Sequence, residues 1–196
     1  MQLKNKNIVV VGLGRTGLAA ARFLHGRGAR VVVSDKATEK ELGNAVGALG
    51  QLGIRVELGP HRAASFQNAD LILVSPGVAH TIEPIAQANA RGVPVIGEVE
   101  LASGFIKEPI IAVTGTNGKT TTTALLGEML KNSGIQAFVG GNIGNPLIEY
   151  VRQEQKAQIV VAGNQQLSTR HHRQLPAESK CSAEHHDGSS GSVPEF

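Results

Sequence analysis

The chain has 196 residues, of which 41% are hydrophobic and 3% aromatic, and it carries a formal net charge of +3. This mild charge comes without a basic run or an aromatic stacking platform, which argues against nucleic acid as a partner. No apolar run approaches the ~18 residues that span a bilayer, and a single cysteine, Cys181, excludes a disulfide framework. Together with a start that lacks signal-peptide features, these properties predict a cytoplasmic protein without membrane partners.

The first elements form a strand–helix–strand unit. A β-branched run over Asn7–Val11 precedes a G-x-G-x-x-G pattern at residues 12–17, and a helical pattern follows to about residue 28. A second strand over residues 30–34 has Asp35 at its carboxyl end. This layout is typical of a dinucleotide-binding fingerprint, in which glycines admit a pyrophosphate and the acid accepts hydrogen bonds from a ribose or base. The alternative is a plain βα turn with a solvated Asp35.

The rest of the first half continues to alternate helices and strands. We expect a helix over residues 38–50, strands over 54–58 and 71–74, a helix over 82–91, a strand over 93–96 and a helix over 98–105. This alternation predicts a Rossmann-like α/β domain with a right-handed parallel sheet that ends near Gly97. The turn Ser75-Pro76-Gly77-Val78 lies at a strand's carboxyl end, where such sheets bind ligands, although a plain turn fits it equally well.

A second nucleotide motif follows the apolar strand that begins at Ile110. The loop Gly115-Thr116-Asn117-Gly118-Lys119-Thr120 leads into a helix predicted over residues 120–131. Backbone N–H groups would face a polyphosphate, Lys119 would add a positive charge, and the Thr120 hydroxyl can bind Mg²⁺. Val113 stands where the usual P-loop has its first glycine, so the motif is a shorter variant. It predicts a nucleoside-triphosphate site; the alternative is a glycine-rich turn with a solvated lysine.

The last third changes character along its length. We expect a strand over residues 137–139, a glycine-rich loop around Asn142, a helix over residues 146–152 and a strand over 158–162. From residue 163 to 196 only seven of 34 residues are hydrophobic, which predicts a disordered tail. The pairs His171-His172 and His185-His186 leave a metal site as the alternative there, without the cysteine or carboxylate spacing that usually accompanies one.

Four motifs together resemble the Mur ligase family, most closely its D-glutamate-adding members. They are V-G-L-G-R-T-G at residues 11–17, S-P-G-V at 75–78, V-T-G-T-N-G-K-T-T at 113–121 and G-G-N-I-G at 140–144. The resemblance covers about residues 5–162. It implies a Rossmann-like UDP-substrate-binding domain over residues 1–97, an incomplete P-loop-type α/β ATP-binding domain over 98–162, and a tail outside the family over 163–196.

The resemblance also implies two sets of site residues. In the substrate set, Arg15 and Thr16 would lie near the diphosphate, and Asp35 and Lys36 near the uracil. Gly77, in the turn after a strand, and Asn142, which would contact the muramoyl part, complete the set. The ATP set comprises Thr116, Asn117, Gly118, Lys119, Thr120, Thr121 and Thr122. Lys119 and Thr120 would be catalytic, with Thr120 as the Mg²⁺ ligand.

The reaction implied by the resemblance belongs to peptidoglycan synthesis. It would use ATP and Mg²⁺ to phosphorylate the terminal carboxylate of UDP-N-acetylmuramoyl-L-alanine, and the amine of D-glutamate would then displace phosphate from the acyl phosphate. A monomer is expected. Gly163 stands where the family has a Mg²⁺-binding glutamate, and the sequence departs from the family after it. We therefore expect a fragment with a reading-frame error after about codon 162 and no ligase turnover.

Two other function classes fit parts of the sequence. An NAD-binding oxidoreductase would use Gly12, Gly14, Gly17 and Asp35, but it would not need the phosphate loop at residues 115–120. A non-catalytic nucleotide-binding regulator would keep both nucleotide motifs and use its tail to bind a partner.

Overall fold

A computed structural model describes residues 1–141 and 144–163 of the chain. The first part alternates strands and helices from the first residues onward. In chain order the elements are β1 (Asn7–Val11), α1 (Arg15–Gly26), β2 (Arg30–Asp35), α2 (Glu39–Leu42), α3 (Asn44–Gly50), β3 (Arg55–Leu58), α4 (Ala63–Gln67), β4 (Leu71–Val74), α5 (Glu83–Ala90) and β5 (Val95–Gly97).

The second part begins directly after β5. Its elements are α6 (Glu98–Ser103), β6 (Ile110–Val113), α7 (Lys119–Asn132), β7 (Ala137–Gly141), α8 (Leu147–Arg152) and β8 (Ile159–Gly163). The strands of the described chain form a five-stranded sheet in the order β3-β2-β1-β4-β5 and a three-stranded sheet in the order β6-β8-β7. Neighbouring strands in both sheets are parallel. The predicted α/β fold class, a Rossmann-like sheet followed by a P-loop-type sheet, is confirmed.

Two details of the predicted elements are wrong. The single helix expected over residues 38–50 is two short helices, α2 and α3, because Gly43 between them has a φ of +56° that no helix accommodates. The short helix α4 was not predicted, since its five residues are too few to show a helical period. Burial of the Phe66 side chain holds α4 against the sheet.

The central strands of the first sheet are apolar on both faces, as the sequence of β1 requires. Ile8 and Val10 belong to one hydrophobic cluster, whereas Val9 and Val11 belong to another that includes Phe66. Successive side chains of a strand point to opposite faces, so β1 contributes to both clusters. Helices therefore cover the sheet on both sides, and its loops are left at the strand ends.

The larger hydrophobic cluster extends beyond the first sheet. It contains Leu24 of α1, Leu101 of α6, and Ile148 and Tyr150 of α8, all less than 2% exposed. The rings of Phe23 and Phe105 add an edge-to-face contact at 5.2 Å, with the Arg27 guanidinium over both rings. The first sheet thus shares one core with α6 and α8 of the second part. The domain limits at residues 97 and 162 stay a prediction.

Within the described ranges, no helix has the length and apolar character needed to cross a bilayer.

The turn from β1 into α1 depends on two glycines. A Cβ on Gly17 would lie 1.9 Å from the carbonyl oxygen of Gly12, so α1 packs too closely against the loop for any side chain. Gly12 has a φ of +93°, and a Cβ there would lie 2.9 Å from Cγ2 of Val78. At Gly14, by contrast, an added Cβ would meet no atom within 4 Å. The loop therefore uses Gly12 and Gly17 for its own packing.

We predict that Gly17→Ala lowers the free energy of unfolding by about 3 kcal/mol, because the added methyl group forces the loop and α1 apart. Gly26→Ala is the matched control in the same helix: its Cβ meets no atom within 4 Å, and it should raise stability by about 0.5 kcal/mol. Urea unfolding of both variants measures the difference. Equal stabilities would contradict the packing role assigned to Gly17.

Candidate nucleotide-binding sites

The first glycine loop lies at the carboxyl edge of the five-stranded sheet. It connects the end of β1 to α1, whose N-cap is Gly14. The Ser75 Oγ donates a hydrogen bond of 2.9 Å to the carbonyl oxygen of Gly12, which ties the turn after β4 to this loop. Gly77, in that turn, is exposed and has a φ of +89°. Two loops predicted to contact a ligand are therefore adjacent, as expected for neighbouring parallel strands.

Asp35 is held at the end of β2 by two backbone groups. Its Oδ2 accepts a hydrogen bond of 2.5 Å from the Leu13 N–H, and its Oδ1 accepts one of 2.8 Å from the Ala37 N–H. The carboxylate thereby fixes the glycine loop. Because a carboxylate has about four acceptor positions, Asp35 can still accept a hydrogen bond from a ligand. Thr16 is half-buried in the first turn of α1, and Lys36 is exposed beside Asp35.

The phosphate loop connects β6 to α7 at the corresponding edge of the second sheet. Gly118 is the N-cap of α7 in a left-handed conformation with a φ of +75°. The side chain of Lys119 folds back over the loop, where Nζ donates hydrogen bonds of 2.5 Å to the Gly115 oxygen and 3.0 Å to the Thr116 oxygen. The ammonium group is thus already inside the curve of the loop.

This loop leaves a helix N-terminus and several threonine hydroxyl groups open to a ligand. The N-terminus of α7 has no side-chain cap and no acidic residue in its first turn, so its N–H groups can face an anion. Thr120 is exposed at the second helical position, with a hydroxyl suited to a hard cation. Thr116, Asn117, Gly118, Thr121 and Thr122 are also exposed.

Arg15 joins the first glycine loop to the second part of the chain. Its Nη2 donates a hydrogen bond of 2.6 Å to Oδ1 of Asn145 and lies 3.6 Å from Oε2 of Glu149 in α8. Asn145 itself accepts, through its backbone oxygen, a hydrogen bond of 2.9 Å from the Gly141 N–H at the end of β7. The loop before α8 is therefore held on one side by β7 and on the other by Arg15.

Glu98 is a buried acid at the same junction. Only 1% of the residue is exposed, and its Oε1 accepts a hydrogen bond of 2.6 Å from the Ile148 N–H at the start of α8. Its Oε2 is buried without a hydrogen-bond partner in the described structure. Burial raises the pKa of the Glu98 carboxyl to about 7; backbone N–H groups of Ile148 and Leu147 lower it, and the charge of Glu149 raises it.

The structure describes two groups of the predicted site residues, and a third group lies outside the described residues. Arg15, Thr16, Asp35, Lys36 and Gly77 lie at the carboxyl edge of the first sheet, and the ATP set lies in the phosphate loop and first turn of α7. Asn142 and the histidine pairs of the tail lie outside the described residues. The ligand roles of all these residues remain predictions. In the described ranges, no three His, Cys, Asp or Glu side chains cluster as a metal site would require.

Sequence reasoning missed Asn145, Glu149 and Glu98 as parts of this junction. A signal existed for Glu98, which shares one helical face with Leu101 and Ala102 at spacings of three and four. All three residues of this face are buried. No comparable pattern marks Asn145, because its contact with Arg15 joins residues 130 positions apart.

Comparisons with known proteins match both parts of the chain to one family. Residues 6–97 match the model "Mur ligase MurD-like, N-terminal domain", and residues 113–182 match "Mur ligase middle domain". The chain is 60% identical over 162 residues to the UDP-N-acetylmuramoylalanine--D-glutamate ligase of Desulfatibacillum aliphaticivorans, covering 83% of this chain and 36% of the relative. The enzyme of that name from Desulfosudis oleivorans is 52% identical over 161 residues, with 82% and 35% covered.

Among solved structures, the UDP-N-acetylmuramate-alanine ligase MurC of Thermotoga maritima matches with a TM-score of 0.47 and 27% identity, covering 81% of this chain and 37% of that one. The chain spans about a third of the length of the curated relatives it matches.

We predict that Glu98 makes the folded protein less stable as the pH rises from 4.5 to 7. The carboxyl has a pKa of about 7 when folded and 4.5 ordinarily, so the folded state binds the proton more tightly. The resulting stabilisation is fully present below pH 4.5 and is lost as the pH rises through 7. It amounts to about 3 kcal/mol.

Urea unfolding at a series of pH values tests this, with Glu98→Gln as the control because glutamine keeps the acceptor oxygen and does not titrate. The stability difference between the two proteins should change across this pH range. A difference independent of pH would contradict the assignment.

Proposed function

Because the chain belongs to the Mur ligase family, we propose that it forms the part of a UDP-N-acetylmuramoylalanine–D-glutamate ligase that binds the UDP-linked substrate and ATP. The observation that carries this proposal is the phosphate loop, with the Lys119 ammonium inside its curve and an uncapped α7 behind it. The identity of 60% to a relative of that name supports the choice of substrate within the family. The activity of the whole enzyme is likewise proposed, since this chain spans only about a third of the length of such relatives.

The first sheet would bind the UDP-linked substrate. In this proposal the Arg15 guanidinium and the N-terminus of α1, with Thr16, face the diphosphate, while Asp35 and Lys36 contact the uracil. The open space at Gly14 supports this arrangement, because a phosphate can approach the backbone there without meeting a side chain. Gly77, in the turn tied to the loop through Ser75, would complete this side of the site, and Asn142 is proposed to contact the muramoyl part.

The second sheet would bind ATP together with Mg²⁺, and ATP would supply the phosphoryl group that activates the substrate carboxylate. Lys119 would exchange the Gly115 and Thr116 oxygens for phosphate oxygens and neutralise the charge that develops there. Thr120 would hold Mg²⁺ through its hydroxyl, and the exposed residues from Thr116 to Thr122 would surround the phosphates. In the whole enzyme, the amine of D-glutamate would then attack the activated carbonyl carbon and lose a proton, and phosphate would leave.

One position limits the catalytic competence of this chain. Gly163 ends β8 and pairs with Val113, the last residue of β6 before the phosphate loop. A carboxylate at this position would be well placed to share a cation with Thr120, and glycine supplies none. We therefore propose that this chain binds nucleotides and has no ligase turnover. We also propose a cytoplasmic location, since the reaction consumes ATP, and a monomeric state.

The second candidate function is an NAD-binding oxidoreductase, because Asp35 ends β2 beside the glycine loop, the position from which an acid contacts the ribose in dinucleotide-binding folds. The phosphate loop argues against it, because a nicotinamide enzyme has no use for a second anion site with its own lysine and Mg²⁺ ligand. A nucleotide-binding regulator shares both sites with the leading proposal and differs from it in that its tail would bind a partner.

We predict that Lys119→Ala weakens the binding of ATP and Mg²⁺ about 10- to 100-fold, because it removes charge-assisted hydrogen bonds to the phosphates. Isothermal titration calorimetry measures the affinity. Lys131→Ala is the control: this lysine is in the last turn of the same helix, and 76% of its side chain is exposed. Similar losses in both variants would contradict a specific role for Lys119.

We predict that UDP-N-acetylmuramoyl-L-alanine raises the melting temperature of the full chain and that NAD at the same concentration does not. A ligand that binds only the folded state stabilises it by an amount that grows with the logarithm of the ligand concentration relative to its Kd. Asp35→Asn should reduce this shift in melting temperature. An amide has one oxygen, so it cannot accept hydrogen bonds at both of the positions that the Asp35 oxygens occupy. Stabilisation by NAD without any effect of the UDP-linked substrate would favour the oxidoreductase.

A further inference from the structure

The start of α8 is held by two side chains from the first part of the chain. Glu98, which immediately follows β5, accepts the Ile148 N–H at 2.6 Å. Arg15, in the first turn of α1, contacts Asn145 at 2.6 Å and Glu149 at 3.6 Å. These contacts fall on three residues, Asn145, Ile148 and Glu149, within a span of five. The position of this segment relative to the first glycine loop is therefore fixed from both sides.

The two contacts differ in how strongly the protein constrains them. Glu98 is only 1% exposed, and Leu101 of its own helix and Leu147 of α8 are fully buried as well, so its side chain has little room to move. The Arg15 side chain is 62% exposed, so its direction depends on its hydrogen-bond and ionic partners. Holding a long exposed side chain in one rotamer costs conformational entropy, unless contacts with neighbouring groups stabilise that rotamer.

Arg15 keeps donors for a ligand while it contacts α8. A guanidinium has five N–H groups, and the contacts to Asn145 and Glu149 both involve Nη2. The remaining donors are in a fixed plane once Nη2 is held. This is the arrangement in which arginine binds phosphate groups most specifically.

We propose that Glu98 is a positioning residue for diphosphate binding: by anchoring the start of α8 it places Asn145, and Asn145 orients the Arg15 guanidinium toward the diphosphate of the bound nucleotide. Glu98 acts through the backbone of residues 145–148 and does not touch the ligand. The inference rests on the proposed function, because it assumes that the first glycine loop binds a UDP-linked molecule.

A double-mutant cycle tests this directly, with UDP as the probe and the full 196-residue chain. Glu98→Ala should weaken UDP binding about tenfold, as expected for coupled residues in one network. The same substitution in an Arg15→Ala background should cause no further loss, since Glu98 then has nothing to orient. Glu98→Gln should bind UDP as the parent does, because its Oε1 still accepts the Ile148 N–H. The binding of uridine, which has no phosphate, should be unchanged in every variant.

Two further variants keep the test decisive. Asn145→Ala removes the side-chain contact to Arg15 and should reproduce the loss even where Glu98→Ala fails to fold. Glu154→Ala, at an exposed acid beyond α8, should leave UDP binding unchanged. An equal loss with and without Arg15, or normal UDP binding by folded Asn145→Ala, would overturn the proposal. Failure of the parent chain to bind UDP at all would instead contradict the proposed function.

Discussion

The packing of α8 against both halves of the chain is the constraint on which the rest of this structure depends. Ile148 and Tyr150 enter the cluster that also contains Leu24 of α1 and Leu101 of α6. Burial of such side chains contributes about 2 kcal/mol each, which is large beside the free energy that separates folded from unfolded domains. The polar contacts of Glu98 and Arg15 then select one arrangement among those that this apolar packing would allow.

Both candidate sites arise from the same physical device, a glycine turn between a buried parallel strand and a helix. In the first, Gly17 and Gly12 let α1 approach β1, and the N-terminus of the helix is left open. In the second, Gly118 adopts a left-handed conformation that starts α7. Each turn lies at the carboxyl end of its strand, so each presents backbone N–H groups to solvent without any side-chain cap. The two loops differ chiefly in the charged residue beside them, Asp35 or Lys119.

Much of this architecture could be predicted from residue patterns. Apolar runs bounded by glycine and proline located the strands, and the two glycine motifs located the candidate sites, because these signals are local in sequence. The break at Gly43 was missed because a glycine within a helical pattern is often tolerated. The contact of Arg15 with Asn145 could not be predicted, since it depends on how α8 packs and not on either residue's neighbours. The buried position of Glu98 was readable from its helical face, but its partner was not.

The absence of any connecting residue between β5 and α6 has a practical consequence for dissecting this protein. Gly97 ends the strand and Glu98 begins the helix, so the point where one family model stops is not a surface linker. A polypeptide ending at Gly97 would lose α6 and α8, which contribute to the cluster that contains Leu24, and Phe105, whose ring contact covers Phe23. The first sheet is therefore better studied with α6, α8 and Phe105 retained.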